Sequence, residues 1–238
     1  MIKAAQPTLR LYPTATRLFA DLANVISERL EAAIQQRGQA SFVTSGGSTP
    51  SALYDVLRNA PVAWDKVFVT TSDERWVPLG GEGSNEKLVR DHLLQGKAAT
   101  AHFIGLRTSH ETPALAQAET HQRLSELPRP YDVTLVGMGP DSHTASLYPH
   151  APGLAEAMDL RRDALTAAVN PVEAAGSNLR LSLSLKALLD SRLIVILMRG
   201  DEKLAVYRNA LAGTDAIEAP VRALIHQTTT PVEVWWAP

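Results

Sequence analysis

Four short apolar runs constrain this chain more than any other feature: "SFVTS" (41–45), "KVFVTT" (66–71), "YDVTLV" (131–136) and "RLIVILM" (192–198). Several carry apolar residues on both faces instead of the alternation expected of a strand with one wet side, which is the pattern of strands buried on both faces. Between them the spacing turns helical. Leu18, Leu22, Val25, Ile26, Leu30 and Ile34 recur at three to four residues, and Gly38 stands where such a helix would stop. Further helices are expected through Leu53, Val56 and Leu57, over "SNEKLVRDHLL" (84–94), over 112–127 and over "GDEKLAVYRNALAG" (200–213). "DALTAAV" (163–169), "LRLSLS" (179–184) and "VEVWWA" (232–237) read as additional strands. Strands alternating with helices predict a mostly parallel sheet flanked by helices, a single three-layer, Rossmann-like α/β domain spanning residues 1–238.

Composition narrows the function. The 238 residues are 45% hydrophobic, enough for one well-buried domain, and carry a formal net charge of −2, which gives no reason to expect nucleic acid or an anionic membrane as partner. With no cysteine, disulfides, thiolate metal sites and cysteine nucleophiles are excluded together. No apolar run approaches the roughly 20 residues that span a bilayer, and the start "MIKAAQPTLRLYP" has no signal-peptide core. A soluble, cytoplasmic protein is the expectation.

Four polar clusters directly follow predicted strands: Gly46–Pro50, Ser72–Arg75, Gly137–His143 and Gly200–Lys203. The carboxyl ends of parallel strands line one edge of an open sheet, so these distant segments are expected to meet there. "SGGSTP" has the makings of an anion cradle. Its two glycines admit a ligand close to the backbone, Ser48 or Thr49 can cap the next helix, and Pro50 suits the first helical turn. By itself the segment fits an ordinary strand–helix turn equally well, and it lacks the Gly-Lys-Ser/Thr ending of a nucleoside-triphosphate loop. "SDERWVP" offers Asp73, Glu74 and Arg75 at a strand end, as either a solvated turn or a partly shielded site. At most two of the three are expected to face the crevice.

"LVGMGPDSHTASLYPH" (135–150) is one residue short of a dinucleotide-binding glycine fingerprint. That reading fails on charge, because Asp141 would stand where the pyrophosphate should lie, and Asp163 precedes the next strand instead of ending it. A catalytic loop suits the residues better. Histidine has a reference pKa of about 6.5, so His143 can accept a proton near neutrality, and Asp141 can orient its ring. The other histidines show no metal-ligand spacing with it. There is no Gly-x-Ser-x-Gly elbow, so in a hydrolase water is the nucleophile and His143 its base.

Taken in order, "SGGSTP", "SDERWVP", "SNEKLVRDHLL", "GMGPDSHTASLYP", "LRLSLSLKALLDSR" and "MRGDEK" resemble the motifs of the 6-phosphogluconolactonase family over nearly the whole chain. The resemblance implies the fold of glucosamine-6-phosphate deaminase and ribose-5-phosphate isomerase. It also implies hydrolysis of 6-phospho-D-glucono-1,5-lactone to 6-phospho-D-gluconate in the oxidative pentose phosphate pathway, with no organic cofactor and no metal. By motif position it implies His143 and Asp141 as catalytic pair, Asp73 and Arg75 as the acid and arginine of the site, and Gly46, Gly47, Ser48 and Thr49 as phosphate loop. Arg180 and Lys203 match basic positions near the phosphate. The expected partner is a small sugar-phosphate lactone, with the chain a monomer or weak homodimer.

One residue departs from the family pattern. Ser142 stands where the family usually has glycine, at a cost of about 1 kcal/mol or more if that backbone needs a positive φ. Two other readings share the phosphate loop. A deaminase or isomerase would carry a carboxylate after the histidine, where this chain runs Thr144-Ala-Ser-Leu-Tyr-Pro149. A non-catalytic sugar-phosphate sensor would be expected to have lost Asp141 or His143, and both are present.

Overall fold

A computed structural model describes residues 7–172 and 177–238. In chain order the strands are β1 (Thr8–Leu11), β2 (Ala40–Thr44), β3 (Val67–Thr71), β4 (Asp73–Arg75), β5 (His102–Phe103), β6 (Val133–Val136), β7 (Thr166–Val169), β8 (Arg180–Leu183), β9 (Ile194–Arg199) and β10 (Val232–Ala237). The α-helices are α1 (Ala15–Arg37), α2 (Ser48–Leu57), α3 (Asn85–His92), α4 (Pro113–Leu124), α5 (Leu154–Met158), α6 (Leu185–Leu189), α7 (Asp201–Ala212) and α8 (Arg222–Ile225).

Seven strands form one wholly parallel sheet in the order β1-β10-β9-β6-β2-β3-β5. The central strands are buried on both faces, as their apolar runs predict. Along β9, Val195 and Leu197 join the core beneath α1 and α2, while Ile194, Ile196 and Met198 join the opposite core with Leu204, Tyr207 and Leu224. Each such fully buried aliphatic side chain contributes about 1.5–3 kcal/mol. Helix α1 presents its apolar stripe to the first core, with Thr14 accepting from the Arg17 amide at its start and Gly38, at φ 81°, at its end. No helix among the described residues is long and apolar enough to cross a membrane.

Two expectations need correction. Segments 163–169 and 179–184 do contain strands, but β7 and β8 belong to a separate antiparallel sheet with β4, ordered β4-β8-β7. Residues 73–75, read as a turn or strand-end cluster, are the third strand of that sheet. This small sheet covers the second core through Val169, Leu181 and Leu183. Ser72 joins the two sheets: its amide donates to the Thr44 carbonyl (2.6 Å) and its carbonyl accepts from the Leu183 amide (2.8 Å). β1 and β5 had no apolar run to announce them, since all four residues of β1 are exposed and β5 has two residues.

Candidate active site

The loops after β2, β3, β6 and β9 enclose a cavity of about 290 Å³ at the carboxyl edge of the parallel sheet. All four clusters singled out in the sequence reach it, and so does Arg180 from the small sheet.

The first wall is the turn from β2 into α2. Tyr54 grips the strand exit, its hydroxyl accepting from the Ser45 amide (2.8 Å) and donating to the Ser45 carbonyl (2.7 Å). Neither Ser48 nor Thr49 caps α2. The N-cap is Gly47, at φ 108°, and it makes no side-chain cap, so both side chains line the cavity instead. Gly46 is required by packing, because a β-carbon there would lie 1.9 Å from Asn85 Oδ1. The open helix end, with its amides and positive dipole end, suits an anion.

Strand alternation sorts the Asp-Glu-Arg cluster. Asp73 and Arg75 line the cavity, whereas Glu74 points away and anchors the start of α3. Its carboxylate accepts from the amides of Asn85 and Glu86 (both 2.7 Å) and from Ser84 Oγ (3.1 Å). Burial pushes the Glu74 carboxyl up, against the pull of those amides. Asp73 is buried and its oxygens are occupied. Oδ2 accepts from Ser146 Oγ (2.6 Å) and lies 3.8 Å from Arg180 Nη1, while Oδ1 accepts from Ser72 Oγ and Asn85 Nδ2 (both 3.1 Å). Arg75 donates through Nη1 to the Gly83 carbonyl (2.6 Å), but its buried Nε finds no acceptor among the described residues.

The third wall is the loop after β6. Asp141 Oδ1 lies 2.6 Å from His143 Nδ1 and also accepts the His143 amide at 3.2 Å. Burial raises the Asp141 carboxyl, yet its bonds to His143 outweigh that and hold it below the usual carboxylate range. An ionised acceptor at Nδ1 places the ring proton there and leaves the Nε2 lone pair as the basic position. The imidazole stacks on Tyr148 with ring centroids 4.0 Å apart and planes 21° from parallel. Gly139 makes room for the pair, since a β-carbon there would lie 2.1 Å from His143 Nδ1. Ser142 adopts φ 66°, so serine occupies a left-handed position that favours glycine.

Lys203 approaches from the first turn of α7. Its Nζ donates to the Met138 carbonyl (2.7 Å), which draws it into the cavity wall rather than into a surface pair with its acidic neighbours. Burial lowers its pKa, with Glu202 and Asp141 opposing. Arg180, fully buried, donates through Nε to the Ser177 carbonyl (2.8 Å) and lies 5.7 Å from the Tyr148 ring centre. Burial lowers its pKa as well, against the pull of Asp73. Among the described residues, no group of three or more His, Asp or Glu side chains gathers in a metal-binding arrangement.

The sequence reading missed Asn85, Ser146 and Tyr148. Asn85 had a signal: an asparagine in the first turn, directly after the Ser84 cap, is a poor helix former and calls for a partner. Tyr148 lay five residues from His143, with no periodicity to suggest a contact.

The family described as "Glucosamine-6-phosphate isomerases/6-phosphogluconolactonase" matches residues 13–236. A 6-phosphogluconolactonase of Pseudomonas putida is 42% identical over 94% of this chain and 90% of its own length. One of Mesorhizobium japonicum is 40% identical over 95% and 94%. The crystal structure of a 6-phosphogluconolactonase from Shewanella baltica OS155 superposes with a TM-score of 0.95 at 40% identity, covering 99% of both chains. A monomeric glucosamine-6-phosphate deaminase shares the fold, with a TM-score of 0.78 at 16% identity over 97% of each chain.

Proposed function

The chain belongs to the glucosamine-6-phosphate isomerase/6-phosphogluconolactonase family, and we propose that it acts there by histidine-assisted attack of water. The protein is a 6-phosphogluconolactonase: it hydrolyses 6-phospho-D-glucono-1,5-lactone to 6-phospho-D-gluconate in the oxidative pentose phosphate pathway. Because its substrate is a phosphorylated metabolite, we take the cytoplasm as its site of action.

A lactone is an activated ester, so no covalent intermediate is needed. His143 Nε2 takes a proton from water as the oxygen attacks C1. Negative charge grows on the former carbonyl oxygen, and the Arg75 guanidinium, which lines the cavity, is the positive group offered to it. The imidazolium, held by ionised Asp141, then returns its proton to the ring oxygen as the C1–O5 bond breaks. The phosphate rests on the open end of α2 at Gly46, Gly47, Ser48 and Thr49, with Lys203 and Arg180 adding positive charge to the same cavity. Asp73 holds Arg180 and its own strand in place; its oxygens are already committed to protein donors.

The observation that carries this mechanism is the 2.6 Å Asp141–His143 contact, which supports His143 as the base by engaging Nδ1 and leaving Nε2 for the proton transfer. A coupled assay with freshly generated lactone, corrected for spontaneous hydrolysis, tests it. His143→Asn is expected to keep the fold and lose roughly 10²–10⁴ in turnover. Near-normal turnover in that variant would remove His143 as the base.

A further inference from the structure

We propose that the protein carries a second anion site, built from Arg90, Arg107 and Arg123, that takes a phosphate group either as the free ion or on a small ester.

The three guanidiniums line a cavity of about 390 Å³, together with Leu79 and Phe103. Among the described residues it shares no lining side chain with the catalytic cavity. Segment 75–86 serves both: Arg75 and Asn85 line the first cavity, Leu79 and Glu86 the second.

Arg107 carries the inference. It is half-buried, and its guanidinium lies 4.1 Å from the centre of the Trp76 ring. Nε donates to the Val77 carbonyl (2.9 Å), and Nη1 donates to the carbonyls of Thr108 and His110, the latter at 3.0 Å. None of these acceptors is a carboxylate, and among the described residues Arg107 forms no ion pair. Burial lowers its pKa, with Glu74 opposing, yet a guanidinium stays charged near neutrality. A partly desolvated charge without a counter-ion is costly to hold. The carbonyl clamp uses only Nε and Nη1, so Nη2 has no acceptor among the described residues.

Its neighbours keep donors as well. Arg90 lies 4.8 Å from the Phe103 ring centre and places Nε and Nη2 on Glu86 Oε1 (both 2.9 Å), which leaves Nη1. Arg123 places Nη1 on the Arg107 carbonyl (3.3 Å) and Nη2 on Glu119, which leaves Nε. Three guanidiniums, each with a nitrogen in hand, match the three terminal oxygens of a phosphate monoester; a carboxylate offers two. Arginines scattered on a surface would be ordinary solvated charges. This set differs because Arg107 is pinned against Trp76 with no acid beside it. Leu79 and Phe103 add apolar contact for the carbon skeleton of an ester.

The test is a titration of the ¹⁵N-labelled chain with inorganic phosphate and with glycerol 3-phosphate, against chloride at matched ionic strength. The Trp76 indole N–H, which donates to the carbonyls of His110 and Glu111, reports on the second cavity, and the His143 imidazole on the first. Both phosphates should move the Trp76 signal saturably. Arg107→Gln should weaken that response by roughly tenfold or more and leave the His143 response intact, whereas Lys203→Met should do the reverse. Arg123→Gln should also weaken the Trp76 response, and it decides the matter if Arg107→Gln does not fold. A tighter midpoint for glycerol 3-phosphate assigns the ester, and equal midpoints assign the free ion. A Trp76 response no larger than that in chloride would overturn the proposal. So would its loss in Lys203→Met with retention in Arg107→Gln, an unchanged midpoint in Arg123→Gln, or tighter binding of malonate than of either phosphate.

Discussion

Arg75 and Arg180 stand directly opposite each other in the antiparallel pair of β4 and β8. Like charges so placed repel, and Asp73, two residues from Arg75 and 3.8 Å from Arg180, offsets them from the same face. Asp73→Asn keeps the shape and removes the charge. We expect it to lower unfolding free energy by about 1–3 kcal/mol and to reduce turnover through misplaced arginines. Urea unfolding indistinguishable from the wild type would show that Asp73 does not perform this compensation.

Asp141 gives a stability signature that depends on pH. Its bonds to His143 hold its folded-state pKa below the unfolded one. The group therefore adds stability that is present above the unfolded value of about 4 and lost as pH falls through the folded value. The difference in unfolding free energy between wild type and Asp141→Asn should be present above that region and shrink as pH falls through it. A difference that grows on acidification would contradict the sign.

Ser142 carries a testable strain. At φ 66° its β-carbon costs about 1 kcal/mol relative to glycine. Ser142→Gly should therefore raise the melting temperature and keep activity, while Ser142→Ala, which retains the β-carbon, should not stabilise. Loss of activity in both variants would reveal a role for the hydroxyl.

Lys203 should act on binding, since the phosphate charge does not change during lactone opening. Lys203→Met is expected to raise KM for the phosphorylated lactone and to affect kcat less. Unphosphorylated gluconolactone should be hydrolysed about as before. Equal damage to both substrates would place Lys203 at the reacting carbonyl, and no effect on either would remove it from the site.

Tyr148 should matter for its ring face. Stacked 4.0 Å from His143, it holds the imidazole against rotation. Tyr148→Phe should retain turnover, whereas Tyr148→Leu should lower kcat by roughly tenfold with little change in KM. A fall in KM affinity alone, or failure of phenylalanine to substitute, would argue for a hydroxyl contact with substrate instead.

What could be read from the sequence follows from which interactions are local. Parallel strands buried on both faces, such as β9, announce themselves as apolar runs, and the rule that loops gather at their carboxyl ends brings Gly46, Arg75, His143 and Lys203 together before any coordinates exist. The Asp141–His143 pair is two residues apart and equally visible. The small sheet is not, because β4 is three polar residues whose strand character comes from pairing with β8, more than a hundred residues away. Asn85 and Ser146 escape for the same reason: each is defined by Asp73, and neither neighbours it in sequence. Glycine at 47 supplies the α2 cap by geometry alone, so a side-chain cap at Ser48 or Thr49 is a natural but mistaken expectation.

Ser72 has a mechanical meaning. One peptide unit is bonded to Thr44 of the strand that leads into the proposed phosphate cradle, and the next to Leu183 of the sheet that bears Arg75. The two walls of the cavity, the loop of Gly46–Thr49 and the strand of Arg75, are thus measured from the same point on the backbone. The span between them is a gauge cut into the main chain, and side-chain motion alone cannot reset it.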